Sequence, residues 1–201
     1  EEMQRRNNPR TWELVYVHGV QPHWHFVRRA PAAAAATSTD AAVPANLHGT
    51  VVHGVLERIR DEAELSELLE ETIGDLASPE LETLMAEGTP YRAALEEEIR
   101  NVIRGPDWQW YVDGEHYREL TFLHLAGPRD WRTGAFDLYR PDEPTGWIID
   151  FKTHDVTIDG IGKVAQSYAA QAEFYRAAAA MRGPARVRLH FTRANGVVDM
   201  D

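Results

Sequence analysis

The sequence predicts an α/β domain in which a mixed central β-sheet is flanked by helices and preceded by an N-terminal helical region. Three observations lead to this fold class. Apolar residues follow the helical period between about residues 47 and 104, they alternate in three segments between 117 and 152, and a second helical stretch separates those segments from a last strand. This order favours a mixed sheet over a barrel of repeated βα units.

The first 46 residues are predicted to lie outside the main domain. Residues 1–29 contain an alternating pattern that turns around Gln21-Pro22, which indicates a β-hairpin-like segment that can be the tail of a preceding domain. Residues 30–46 are rich in alanine with flanking prolines, a composition typical of a linker. The domain itself is expected to span 47–201. Because the chain starts with Glu1 rather than Met, it stays open whether this is a fragment.

The predicted helices come first in the domain. Asn46 can cap a helix over 47–60, because its side chain accepts hydrogen bonds from the first turn. The apolar residues of this helix recur at the helical period and are Val51, Val52, Val55, Leu56 and Ile59. Further helices are expected over about 61–74 and from 78 to about 104, with a break near Gly88–Pro90.

The pattern then changes to the strand period. Residues 117–125, 131–139 and 146–152 are predicted strands, separated by turns rich in Gly, Pro and Asp. A helix is expected from about Gly162 to Met181, where Gly183-Pro184 stops it. A last strand over 185–193 completes the predicted sheet.

Composition excludes several classes of protein. The chain has no cysteine, so disulfides, zinc knuckles and thiolate-held iron–sulfur clusters are excluded. No Gly-x-x-x-x-Gly-Lys-[Ser/Thr] motif occurs, so an ATPase of the P-loop class is not expected. No apolar run reaches the roughly 18–20 residues of a membrane span and no signal peptide opens the chain. We therefore expect a cytoplasmic protein without a membrane partner.

The net charge of −11 is concentrated in one region. Residues 61–100 hold 13 acids and only Arg92 and Arg100, so the remainder of the chain sums to zero. Such a run of acids indicates a solvated helical face. The charge therefore neither supports nor excludes a nucleic-acid partner.

The strongest local feature is Asp150-Phe151-Lys152 on the third predicted strand. Alternate side chains of a strand share a face, so Asp150 and Lys152 lie side by side while Phe151 points away. They can form an ion pair at an exposed strand end, or they can belong to a metal site. Asp137, thirteen residues upstream on the neighbouring strand, can converge with Asp150. Two such carboxylates favour a hard cation, Mg²⁺ or Mn²⁺.

Two helical patterns accompany these acids. On the first helix Gly49 precedes His53 by one turn, and a glycine inside a helix suggests a close backbone approach. His53 can be a metal ligand or a satisfied, partly buried histidine. Tyr168, Gln171 and Tyr175 are predicted to form one stripe of the later helix. Core packing explains tyrosines there, whereas a glutamine amide among them needs polar partners.

Together these segments resemble the RecB-family branch of the PD-(D/E)XK nucleases, as in RecB/AddA-type helicase–nucleases. The segments that carry the resemblance are GTVVH (49–53), RELTF (118–122), GAFD (134–137), IIDFK (148–152) and QAEFY (171–175). The resemblance covers about residues 47–201 and implies a restriction-endonuclease-like core. The absence of cysteine favours the RecB/AddA type over branches that carry an iron–sulfur cluster.

The resemblance also implies roles for individual residues. The metal would be held by His53, Asp137, Asp150 and the Phe151 carbonyl. Lys152 would orient or activate the attacking water, and Glu119 would be a supporting acid. The residues expected to bind substrate and brace the site are Gln171, Tyr175 and Tyr168.

The expected function is a metal-dependent deoxyribonuclease using Mg²⁺ or Mn²⁺. The resemblance implies a nuclease module of a bacterial recombination-repair machine, with helicase domains in the same chain or in a partner subunit. Two alternatives stay open: a catalytically inactive domain retained for structure or DNA guidance, and a free-standing nuclease.

Overall fold

The computed structural model describes residues 45–76, 79–86 and 88–200, so the predicted segment 1–29 and the linker up to residue 44 lie outside the described residues. The helices are α1 (Ala45–Leu56), α2 (Leu65–Leu76), α3 (Pro79–Leu84), α4 (Pro90–Arg104), α5 (Pro106–Val112), α6 (Ile161–Ala165) and α7 (Ala169–Ala179). The strands are β1 (Tyr117–Gly127), β2 (Asp130–Arg140), β3 (Gly146–Lys152), β4 (Ala185–Phe191) and β5 (Gly196–Met200).

The five strands form one mixed sheet in the order β1-β2-β3-β4-β5. β2 pairs antiparallel with both β1 and β3. β3 pairs parallel with β4, and β4 pairs antiparallel with β5. The parallel pair requires a crossover connection, which contains α6 and α7. The predicted fold class, a mixed sheet flanked by helices with a helical region before it, is confirmed.

Alternate residues of β3 face two different cores. Ile149 and Phe151 are buried against the N-terminal helices, in a cluster that includes Val52 of α1 and Ile99 of α4. Ile148 lies on the other face, in a cluster with residues of α7 and β4. Because the side chains of a strand alternate, this one short strand anchors both helical layers.

The first helix is fixed by its apolar face and by close contact with α2. Val51, Val52 and Val55 are fully buried, as the helical period predicts. A Cβ at Gly54 would lie only 2.9 Å from the Thr72 methyl group, so glycine lets α1 and α2 approach closely. The predicted cap at Asn46 is wrong, because α1 already includes Ala45 and Asn46 therefore lies inside the helix.

Three further details differ from the sequence prediction. The chain forms a short helix, α5, and a fifth strand, β5, that the pattern did not predict. The helix expected from Gly162 to Met181 is divided by a 3-10 turn over Gln166–Tyr168. Tyr168 therefore precedes α7 instead of belonging to it, yet Tyr168 and Gln171 still face the same neighbour, Lys152. Among the described residues, none of the helices has the length and apolar character needed to cross a membrane.

Candidate active site

Three acidic residues occupy adjacent positions across β1, β2 and β3. Leu138 pairs with Ile149, so the next step along the same register brings Asp137 opposite Asp150. Arg118 and Leu120 of β1 pair with residues on either side of Asp137, which places Glu119 at the matching position. The register of the sheet therefore brings together carboxyl groups from three separate parts of the chain.

The backbone is irregular at the first of these positions. Glu119 has a φ of 49°, in the left-handed region that non-glycine residues rarely adopt. Strained backbone of this kind costs about 1–3 kcal/mol and persists only where surrounding structure enforces it. Its neighbour Arg118 supplies one such constraint, since its guanidinium donates to the Leu56 and Glu57 carbonyls at 3.3 and 3.2 Å. These bonds hold the start of β1 against the end of α1.

Asp137 is the centre of the polar contacts on this side. Its Oδ2 accepts a hydrogen bond from the Phe151 backbone N–H at 2.7 Å and lies 3.4 Å from His53 Nδ1. His53 comes from α1 and also meets the Phe151 ring edge-on, with 6.4 Å between ring centroids. One turn earlier, a Cβ at Gly49 would lie 3.2 Å from Thr153 Oγ1, so the predicted close approach at this glycine is seen.

Asp150 belongs to a closed ring of polar contacts. Lys152 forms an ion pair with Asp150 Oδ2 and donates to Gln171 Oε1 at 3.0 Å. The Gln171 amide nitrogen donates to the Tyr175 hydroxyl at 3.0 Å, and that hydroxyl donates to Asp150 Oδ1 at 3.4 Å. The glutamine amide thus has the polar partners that the sequence required. Lys152 is consequently held by both β3 and α7.

The ammonium group of Lys152 also has an aromatic neighbour. It lies 4.2 Å from the centre of the Tyr168 ring, whose hydroxyl is hydrogen-bonded to His154 Nε2. His154 was not among the site residues predicted from the sequence. A signal was available, because His154 follows the Asp150-Phe151-Lys152 segment by only two residues.

The acids and histidine strongly perturb one another's protonation. Burial lowers the pKa of His53, but the charges of Asp137, Asp150 and Glu119 outweigh it and raise that pKa to about 9. Burial raises the pKa of Asp137, but His53, the Phe151 N–H and Lys152 reverse the effect and hold it below its usual value. These opposite shifts favour a His53–Asp137 ion pair.

The other two carboxyl groups shift the opposite way. Burial and the nearby Asp137 charge raise the pKa of Asp150 to about 6, although Lys152 opposes them. Burial, Asp137 and Glu57 likewise raise the pKa of Glu119 to about 7. Like charges this close cannot all ionise at low energy without a cation.

The side chains fit a divalent cation. His53, Glu119 and Asp137 each offer a ligand atom, and these atoms all lie within 4.8 Å of one another. Asp150 Oδ2 is buried, and apart from the charge of Lys152 it has no hydrogen-bond partner of acceptable geometry. Carboxylate oxygens with one imidazole form a donor set suited to Mg²⁺ or Mn²⁺. The structure thus places Glu119, expected only as a supporting acid, in this group of three, whereas Asp150, expected as a ligand, is not part of it.

His48 and Glu98 form a separate buried network beside this site. His48 Nε2 lies 3.0 Å from Glu98 Oε2, and Thr192 donates to the other oxygen of Glu98 at 2.5 Å. The Thr192 N–H in turn donates to the Lys152 carbonyl at 2.9 Å. This network links α1 and α4 to the ends of β3 and β4. His48 is bonded to Glu98 there and is not part of the group formed by His53, Glu119 and Asp137.

The comparison with known proteins adds one finding. A sequence profile described as the PD-(D/E)XK nuclease superfamily matches residues 6–198. A search of curated proteins finds no match.

Proposed function

This chain belongs to the PD-(D/E)XK nuclease superfamily, and we propose that it is a metal-dependent deoxyribonuclease that hydrolyses phosphodiester bonds with Mg²⁺ or Mn²⁺. The observation that carries the proposal is the meeting of His53, Glu119 and Asp137 beside the Asp150–Lys152 pair. This arrangement supplies both a cation site and a basic side chain at the same sheet end. The superfamily's members are in general metal-dependent nucleases.

His53, Asp137 and Asp150, with the Phe151 carbonyl, would hold the cation, and the position of Glu119 supports it as a further ligand. A divalent cation, when bound, polarises a phosphate and lowers the pKa of water. The cation would add to the positive charge that Lys152 supplies beside these carboxylates, and would replace the charge that His53 loses on deprotonation. A neutral His53 is required for ligation, so cation binding would displace its proton.

Lys152 would orient the attacking water and accept or donate its proton. The contact with Gln171 fixes the direction of the ammonium group, and the Asp150 carboxylate supplies the countercharge. Tyr175 holds both of these partners of Lys152, since its hydroxyl accepts a hydrogen bond from Gln171 and donates one to Asp150. Burial and the charge of Asp150 raise the Tyr175 pKa, so this hydroxyl remains a protonated donor. Gln171, Tyr175 and Tyr168 would in this way position the general base and the DNA strand.

We further propose that the chain is the nuclease module of a bacterial recombination-repair helicase–nuclease. The support is the order of the motifs from Gly49 to Tyr175, which resembles the RecB/AddA type. In such a machine helicase domains deliver the DNA, so a module with a net charge of −11 would need little affinity of its own.

Cleavage of DNA by the purified chain tests the enzymatic proposal. We expect degradation of a labelled oligonucleotide with Mg²⁺ or Mn²⁺ and complete arrest by EDTA. Asp137→Asn and Asp150→Asn would each reduce the rate by at least about 100-fold, because each removes a charged ligand. Glu67→Gln, the same acid-to-amide change at an exposed position of α2, is the matched control. Undiminished cleavage in EDTA, or by Asp150→Asn, would exclude the proposed mechanism.

A further inference from the structure

Tyr168 contacts Lys152 from the 3-10 turn that joins α6 and α7. The other two partners of the ammonium group, Asp150 and Gln171, belong to β3 and α7. The backbone of Tyr168 has a φ of −98° and a ψ of 4°, so the regular helix begins only after it. The direction of the Tyr168 ring is therefore not fixed by regular secondary structure alone.

His154 supplies a contact at the far end of this ring. Its Nε2 is hydrogen-bonded to the Tyr168 hydroxyl, and the two ring centroids lie 5.7 Å apart. Burial, together with the charges of Lys152 and Arg193, lowers the pKa of His154, so its ring is neutral at pH 7. A neutral imidazole offers one donor and one acceptor nitrogen. It can therefore bond the phenol hydroxyl without placing a second positive charge beside the ammonium group.

The sheet end fixes the position of His154. His154 follows the last residue of β3 by two residues, and its ring centroid lies 6.4 Å from that of Phe191 at the end of β4. Phe191 is fully buried. The next residue, Thr192, donates its N–H to the Lys152 carbonyl at 2.9 Å, which ties the two strand ends together. His154 thus connects the tyrosine of the crossover connection to the rigid end of the sheet.

The surroundings of His154 do not favour a role as a metal ligand. Among the described residues, the group that can hold a cation consists of His53, Glu119 and Asp137, and His154 is not part of it. The positive charge of Lys152, which lowers the pKa of His154, also disfavours a second cation there. The hydrogen bond to Tyr168 is therefore the contact through which His154 acts.

We propose that His154 is a positioning residue, which holds the Tyr168 ring against the Lys152 ammonium group through the Tyr168 hydroxyl. The ring closes a third side of the ammonium group, beside Asp150 and Gln171, and so directs its protons toward the attacking water. The effect of His154 on catalysis passes through Tyr168. This catalytic consequence rests on the proposed function, whereas the contact between the ring and Lys152 does not.

The two lysines of the chain, Lys152 and Lys163, allow the contact to be measured without any activity. In the metal-free chain labelled with [ε-13C]lysine, each lysine gives one ε-methylene NMR signal, and Lys163→Arg assigns them. A methylene group beside the face of an aromatic ring is shifted upfield, so the Lys152 signal should lie upfield of the Lys163 signal. Tyr168→Leu, which removes the ring, should abolish this shift.

The signal of Lys152 then tests His154 directly. His154→Leu should lose most of the upfield shift, because the ring is no longer held. His154→Gln should keep most of it, since the glutamine amide can occupy the position of Nε2 and bond the Tyr168 hydroxyl. His116→Leu, the same change at a histidine just before β1, is the matched control. An unchanged Lys152 signal in His154→Leu would overturn the inference.

Cleavage kinetics test whether the contact matters for the reaction. His154→Leu should lower kcat about tenfold, the effect of one hydrogen bond on the barrier, with little change in KM for an oligonucleotide. Tyr168→Phe, which keeps the ring but loses the hydroxyl, should lower kcat equally. The double variant should be no slower than either single one, because both changes remove the same hydrogen bond. Losses that multiply in the double variant would overturn the inference.

The two measurements together separate this inference from the proposed function. A His154→Gln enzyme as slow as His154→Leu, with the Lys152 signal of the wild type, would make His154 a proton-transfer group and overturn the positioning role. Full activity in His154→Leu would leave the proposed enzyme intact and overturn the inference. An upfield Lys152 signal that depends on His154, in a chain that cleaves no DNA, would support the contact and overturn the proposed enzyme.

Discussion

At the scale of single residues, Lys152 shows how neighbouring groups define a chemical role. A lysine side chain has about 2 kcal/mol of rotamer entropy, and here three groups restrict it. The Asp150 carboxylate, the Gln171 amide oxygen and the face of the Tyr168 ring all contact its ammonium group. A compact ammonium satisfies all three at once, which a planar guanidinium of fixed shape cannot do in the same space.

Lys152→Arg should therefore fail to restore activity, although it preserves the positive charge. Arginine crowds the position of the attacking water and stays protonated, so we expect a loss of about 100-fold or more, close to that of Lys152→Ala. Single-turnover cleavage at saturating metal measures it. The only other lysine, the exposed Lys163 of α6, offers the matched control Lys163→Arg. A Lys152→Arg enzyme as fast as the wild type would reduce the role of Lys152 to a phosphate-facing charge.

Residue spacing predicted the local pairs of the site but not its full composition. Asp150 and Lys152 share a face because strands have a period of two, and Gln171 and Tyr175 share one because helices place i and i+4 together. The position of Glu119 depends instead on the pairing of β1 with β2 and on a left-handed φ. Neither property is encoded in a local pattern, so Glu119 could not be ranked with the metal ligands from residue spacing.

At the scale of elements, α5 and β5 were both missing from the sequence prediction, but they differ in how far a local pattern could have predicted them. A seven-residue helix such as α5 is marginal by itself and depends on packing, here of Trp108 and Tyr111 against Phe151. That packing is a long-range contact. β5 carried a local signal, since Asn195-Gly196 is a hairpin turn sequence and Asn195 adopts a φ of 43°. The last hairpin could therefore have been predicted.

His190 of β4 connects α5 with the turn before β5, and its protonation makes this contact sensitive to acid. Its ring nitrogens bond the Tyr111 hydroxyl at 3.1 Å and Asn195 Oδ1 at 3.3 Å, and burial lowers its pKa to about 4. The unfolded chain takes up a proton near pH 6.5, whereas the folded chain does so only near pH 4. His190 thus lowers stability as the pH falls from 6.5 to 4.

Urea unfolding at pH 7 and pH 5 should reveal this effect. The wild type should lose about 2 kcal/mol more than His190→Gln over that interval, because the variant has no proton to bind at this position. The contributions of the acids and of His53 are common to both proteins and cancel. His116→Gln, a histidine change just before β1, should keep the acid loss of the wild type. Equal losses in wild type and His190→Gln would mean that His190 is charged in the folded state.

At the scale of the whole molecule, the acidic charge lies on the helical layer formed by α2 to α4. Arg92 of α4 joins two helices through its ion pair with Glu70 of α2, and within α4 Arg92 and Arg100 both pair with Glu96, at 2.9 and 2.8 Å. Most acids of residues 61–100 that the structure describes are exposed or half-buried, as the sequence predicted, and Glu98 is the buried exception. The net charge is therefore a property of this layer and not of the sheet end that holds the site.

The extent of the folding unit is the last prediction at this scale. Among the residues that the structure describes, the buried apolar residues of both cores lie between Val51 and Phe191, which favours a domain beginning near residue 47. The family match begins at residue 6, which favours a unit that includes the preceding residues. The two observations give opposite expectations for a chain truncated to 47–201.

We expect the truncated chain to unfold in one cooperative transition, within about 1 kcal/mol of the full chain. Of the described residues, the truncation removes only the exposed Ala45 and Asn46 of α1, with the 2.8 Å bond from Thr50 to the Asn46 carbonyl, and it keeps every described residue of both cores. A helix-terminal contact of that kind contributes about 1 kcal/mol. Urea unfolding followed by circular dichroism measures the difference, and an unchanged m-value would show that the same surface is buried. A reduced m-value, or a loss of several kcal/mol, would instead place residues before 47 within the cooperative core, because only buried contacts contribute that much.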